Sequence, residues 1–121
     1  MRLNRILIFV PDIPAAKRFY RDVLEFEIGV ETGDSVTFTS AGCRLVAYKC
    51  AKAAAPRDYS VEAQAVCVFE VPNLDQALQK LSRHHVNILH STPGVNEEGR
   101  YAAFVDPFGI VHEIFEANES K

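Results

Sequence analysis

The chain has no apolar run approaching the roughly 20 residues that a membrane-spanning helix needs, so a helical bilayer span is excluded. It has no strong excess of charge: 13 Lys and Arg against 16 Asp and Glu leave a net charge of -3 and a pI near 5.8. That balance argues against nucleic acid or an anionic membrane as a general partner. Cysteine is scarce. Cys43, Cys50 and Cys67 are odd in number and have no zinc-site spacing, so reduced thiols in a cytoplasmic setting are the plain reading. The opening MRLNRILIFV runs straight into strand pattern without a signal-peptide cleavage region, which argues against export. No Cys–His or Ser–His–Asp spacing points to a nucleophile.

What is present is 121 residues, 48% hydrophobic and 24% charged, the make-up of one globular domain. A chain of this length buries about 65 to 70% of its unfolded surface. The most informative stretch is Ala102 to Glu116, AAFVDPFGIVHEIFE. Two short apolar runs flank Asp106-Pro107-Phe108-Gly109, where Pro fixes one backbone angle and Gly permits the left-handed one, so a tight turn is expected. Glu113 then falls inside a run that otherwise reads as buried strand. A carboxylate there needs something to pair with it or coordinate to it.

Before that stretch the chain alternates between two periods. Leu3 to Val10 reads as strand, Asp12 as a helix N-cap with Pro14 in the first turn, and Ala16, Phe19, Tyr20, Val23 and Leu24 as one face of a three-turn helix. Phe26–Glu31, Ser35–Thr39 and Arg44–Lys49 read as strands separated by turns at Gly33-Asp34 and Ala41-Gly42. Ala51 to Ala63 has no period and contains Pro56, which reads as a connector. Then the order restarts with strand Ala65–Val71, and Asn73 with Gln76 forms a capping box before the helical face Leu74, Ala77, Leu78 and Leu81. A short strand Val86–His90, a loop Ser91–Gly99 and strands Arg100–Val105 and Ile110–Glu116 complete it. Val10-Pro11-Asp12-Ile13 is answered 61 positions on by Val71-Pro72-Asn73-Leu74. The chain is therefore expected to hold two βαβββ units, about 3–50 and 64–117, joined by a connector at about 51–63. Neither half buries enough surface to be comfortable alone.

With these motifs on the page, the chain resembles the vicinal oxygen chelate superfamily, which includes glyoxalase I, bleomycin-resistance proteins and extradiol dioxygenases. The resemblance covers residues 3 to 116 and rests on VPDIPAAKRFYRDVLEF, VPNLDQALQKL and FVDPFG...E. It implies an α+β fold in which the two βαβββ units form a curved mixed sheet. Glu25 stands where the family usually has Gly, and Phe108 where it usually has Asp in the turn. The resemblance also implies a cup lined by four metal-ligand positions, whose ion would activate a substrate through two neighbouring oxygens. Carried onto this chain, those positions are Arg5, Val66, Ala47 (Val46 if the register slips by one) and Glu113. Only Glu113 is a donor, so no cofactor is expected, the alternative being one divalent metal ion with the register misplaced. If Arg5 and Glu113 share the cup, the guanidinium can stand in the metal's place and pair with the carboxylate.

Alternation places Leu7 and Phe9 on Arg5's face, Val68 and Glu70 on Val66's, and Val111 and Phe115 on Glu113's. Arg100 and Tyr101, after the Gly-containing loop, are candidates for the mouth of the cup, and that loop is long enough for a lid. His84 and His85 end the second helix, where imidazoles suit its dipole. His90 reads as a surface residue within possible reach of a ligand, and His112 points away from Glu113. The expected function is a metal-free module that holds a small, partly apolar molecule. The competing expectations are a metal-dependent lyase, isomerase or dioxygenase, and a structural or regulatory subunit with a filled cup. All three allow a homodimer.

Overall fold

The computed structural model describes residues 1–40 (Ser40 by its backbone alone), 42–52, 59, 63 and 65–119. The chain divides into two compact units, Met1–Ala54 and Ala55–Lys121. Most of the expected connector lies outside the described residues. Among the described residues no helix is long and apolar enough to cross a membrane.

The first unit runs β1 (Ile6–Val10), α1 (Ile13–Lys17, continuing as a π-helical turn Arg18–Val23), β2 (Glu27–Glu31), β3 (Ser35–Ser40) and β4 (Cys43–Lys49). Asp12 caps α1, accepting from the Ala15 N–H at 3.0 Å, with Pro14 in the first turn. The sheet order is β1-β4-β3-β2, with β1 and β4 parallel and the rest antiparallel. Ile8, Val10, Val36, Phe38, Leu45 and Ala47 form its buried face together with Phe19 and Tyr20, whose rings meet edge to face at 5.1 Å. The opposite face carries Leu7, Phe9, Arg44, Val46 and Tyr48. β1 begins at Ile6 rather than Leu3, and its first ladder partner on β4 is Leu45.

The second unit repeats the order: β5 (Cys67–Glu70), α2 (Leu74–Arg83), β6 (Asn87–Ile88), β7 (Gly94–Val95), β8 (Gly99–Val105) and β9 (Val111–Ala117). Asn73 caps α2 by accepting from Gln76 N–H at 3.0 Å. The strand order is β5-β9-β8-β6, with β7 also on β8. The loop Ser91–Gly99 is therefore partly strand: Gly94 and Val95 are in register with Tyr101 and Arg100. Phe69, Ala102, Phe104, His112 and Ile114 face one side of this sheet, and His112 lies 5.0 Å from Phe69 and 5.6 Å from Phe104, ring to ring. Burial pushes the His112 pKa down to about 4.

The two helices differ by one residue. From N-cap to the left-handed residue past the helix end is thirteen residues in unit one (Asp12 to Glu25) and twelve in unit two (Asn73 to His85). The surplus is absorbed by the π turn, where Leu24 N–H reaches back five residues to Phe19 O at 3.0 Å. α2 instead ends with Val86 N–H on Leu81 O and His85 N–H on Ser82 O, both 3.0 Å, a Schellman closure. Glu25 sits at φ 65, the conformation that the family's usual glycine supplies without strain.

Glu25→Gly is expected to raise stability by up to about 1 kcal/mol, read from urea denaturation midpoints at unchanged slope. The unfolded chain binds the His112 proton more tightly than the folded one. Stability from this group is therefore complete above about pH 6.5 and is lost as pH falls toward 4, by about 3 kcal/mol at most. In His112→Phe, the difference between pH 7 and pH 4.5 denaturation free energies should shrink by that contribution.

Candidate functional site

The β8–β9 turn sets the second unit's open face. Asp106, 4% exposed, receives Phe108 N–H at 2.9 Å and Ile110 N–H at 2.8 Å on one carboxylate oxygen, while its own N–H bonds Ile110 O at 2.8 Å. Gly109 completes the turn at φ 89. The register that follows pairs Ala103 with Glu113, Tyr101 with Phe115 and Val105 with Val111. On the other side of β9, Val68 pairs with Glu113. Partners across a ladder share a face, so Glu113 stands half-buried among Ala103, Val68 and Tyr101, away from the His112 face.

The Tyr59 hydroxyl donates to Glu113 Oε2. Burial, and then the bond to that carboxylate, push the phenol pKa up to about 12, so Tyr59 stays a donor throughout the physiological range. The Tyr59 ring meets His90 edge-on at 6.0 Å, and His90 meets Tyr101 edge-on at 5.6 Å. His90 also extends the sheet. Leu89 N–H bonds Ala103 O at 2.8 Å, and Ala103 N–H bonds His90 Nδ1 at 2.8 Å. An accepting Nδ1 leaves the ring N–H on Nε2. The Tyr101 ring lies across Gly94, where a Cβ would come within 2.4 Å of it.

Arg100 is placed differently. It stands across from Glu116, on the opposite sheet face from Tyr101 and Glu113. Its Nη2 lies 3.3 Å from Asp75 Oδ2 and 3.4 Å from Glu116 Oε2, and Glu116 Oε1 accepts from Leu74 N–H at 2.8 Å in the first turn of α2. Arg100 therefore ties β8 and β9 to the helix start rather than to the open face. Val66 precedes β5 and is half-buried, on Val68's side by alternation.

In the first unit Arg5 is exposed, with Nη1 3.4 Å from Asn4 Oδ1. Phe9 is 59% exposed, its ring 6.4 Å from that of Tyr48. The two ladders also correct one position. Leu7 pairs with Val46, and its repeat partner Val68 pairs with Glu113. Val46, not Ala47, is thus the counterpart of Glu113, and Ala47 faces the helix side at 0% exposure. The slip arises because the turns before the two last strands differ in length. Among the described residues no three His, Cys, Asp or Glu side chains converge as a metal-holding group.

Tyr59 and His90 are the groups that sequence reasoning missed or set aside. Tyr59 falls in the aperiodic stretch read as a connector and carries no local signal. His90 follows a strand too short to fix which way its ring would turn.

Three comparisons agree on the fold. A family model described as Glyoxalase/Bleomycin resistance protein/Dioxygenase superfamily matches residues 2–114. A glyoxalase/dioxygenase from Nostoc punctiforme superposes with a TM-score of 0.80 at 22% identity, covering 98% of this chain and 92% of that one. The fosfomycin resistance protein FosX from Listeria monocytogenes, in complex with Mn(II) and sulfate, gives 0.81 at 18% identity over 97% and 90% of the two chains. Among curated proteins, the mitochondrial methylmalonyl-CoA epimerase of Bos taurus is 27% identical over 131 aligned positions, covering 96% of this chain and 74% of that protein. A family match over nearly the whole length, with the fold to go with it, means that this chain belongs to the glyoxalase/bleomycin resistance/dioxygenase superfamily.

Proposed function

We propose that the chain is a family member that has lost the metal site and binds a small, partly apolar molecule against its open sheet faces. Glu113 carries this reading. It is the one donor among the four positions Arg5, Val46, Val66 and Glu113, and the Tyr59 hydroxyl already engages it. A divalent ion needs about four to six donors, and of these positions the first unit offers only Arg5 and Val46 and the second only Val66 and Glu113. The residues present therefore do not fit the family's ion, and no step is routed through one.

What the faces offer instead is the usual make-up of a ligand site, apolar and aromatic groups with a few placed polar atoms. Leu7, Phe9 and Val68 are 44%, 59% and 55% exposed. In the second unit, Tyr101 and the His90 Nε2–H supply donors on the face that carries Glu113, whose carboxylate already holds the Tyr59 hydroxyl. A ligand held on either face by itself would be oriented by that face's polar groups while its apolar part covers that face's exposed side chains. A homodimer in solution is part of the same proposal.

Protein dialysed without chelator and analysed for metals should carry only substoichiometric divalent ion. Thermal denaturation with a panel of small aromatic alcohols and acids should show stabilisation, about 2.7 kcal/mol at a hundredfold excess over Kd. Tyr101→Ala and Tyr59→Phe should reduce that shift. A stoichiometric ion whose removal by EDTA abolishes the shift would replace this reading with a metal-dependent lyase, isomerase or dioxygenase. No response to any of the panel would leave a structural or regulatory role.

A further inference from the structure

We infer that the open face of the first sheet receives a carboxylate carried on an apolar body, with Arg5 and Arg44 gripping the carboxylate. This rests on the ligand-binding reading above and names the chemistry of the ligand. The β1–β4 register Ile6 to Leu45, carried one residue back, sets Arg5 beside Arg44 on strands about 4.8 Å apart. Both guanidiniums lean on the same residue. Arg5 Nη1 donates to Asn4 Oδ1 at 3.4 Å, and Arg44 Nη2 donates to Asn4 O at 3.5 Å.

These contacts are at the outer limit for hydrogen bonds, and each uses one of a guanidinium's five N–H groups. Among the described residues of their own unit, neither arginine has an ion-pair partner; the ion pairs there join Lys17 to Glu31 and Arg21 to Asp22. Glu27 is the acid that shares their face. It stands two strands from Arg44 with Thr39 between, about 10 Å away. Two adjacent guanidiniums repel each other, and an anion placed between them removes the repulsion. Their planar forks match the two oxygens of a carboxylate.

The same face supplies a seat for the rest of the ligand. Leu7 and Phe9 follow Arg5 at alternate positions on β1, 44% and 59% exposed, and Phe9 stacks at a tilt of 31° on Tyr48. A rise of about 3.3 Å per residue puts Phe9 about 13 Å along the strand from Arg5, the reach of a medium-length aryl or alkyl acid. Charge at one end and apolar surface at the other select an amphipathic anion over a compact one such as phosphate.

Isothermal titration of the full chain with 4-phenylbutyrate, 4-phenylbutanol and inorganic phosphate tests this. The acid should bind roughly tenfold or more tightly than the alcohol, and phosphate more weakly than the acid. Arg5→Ala and Arg44→Ala should each weaken the acid about tenfold and leave the alcohol unchanged, while Arg44→Lys, which keeps charge without the fork, should recover only part. Equal affinity for acid and alcohol, or unchanged acid binding in both alanine variants, would overturn the assignment while leaving ligand binding in place. Tighter binding of phosphate than of the acid would overturn it as well. Cross-saturation between copies at Leu7 and Phe9 in a solution dimer would overturn it too, by showing that a second copy covers the face. Failure of both phenylbutyl compounds, and of every other small aromatic, would instead remove the ligand-binding reading beneath it.

Discussion

The second unit's chemistry depends on how one buried carboxylate, Asp106, closes the β8–β9 turn. Its two backbone hydrogen bonds and the left-handed Gly109 fix the loop length, and loop length fixes the register. A slip of one residue would send Glu113 to the side occupied by Phe69 and Phe104 and bring His112 to the open side. Neither exchange is tolerable, since a carboxylate would enter an aromatic core and that core would lose the ring that fills it. The position of Glu113 thus follows from chemistry seven residues earlier in the chain.

The two open faces have opposite character. In the second unit a carboxylate accepts the Tyr59 hydroxyl, on the face where the His90 imidazole accepts the Ala103 N–H. In the first unit two guanidiniums stand together above an apolar stripe. The repeat has kept the scaffold and let the side chains at matching places diverge: Leu7 answers Val68, Val46 answers Glu113, and Arg5 answers Val66.

Much of the architecture was legible because its signals are local. Asp12 and Asn73 announce their helices by capping, Asp106-Pro107-Phe108-Gly109 announces its turn, and alternation separates Glu113 from His112 correctly. What was not legible depends on long-range placement. Nothing near Tyr59 in sequence says that its hydroxyl meets a residue 54 positions away. Arg100 looks like a mouth residue until its strand neighbour Glu116 and the start of α2 are seen to hold it. Strand ends erred both ways: β1 and β5 are shorter than their β-rich runs, while β3, β4 and β8 each run one residue further. Val46 and Ala47 could not be told apart, because adjacent apolar residues on a central strand carry the same pattern on either face.

The wide turn at Arg18–Val23 has a consequence beyond its own geometry. Because the surplus residue is taken up between the cap and the helix exit, both anchor points keep their places and β2 starts as if nothing had been added. A single-codon insertion in this helix is therefore a local event, and it leaves the strand ladders, and the groups they display, undisturbed.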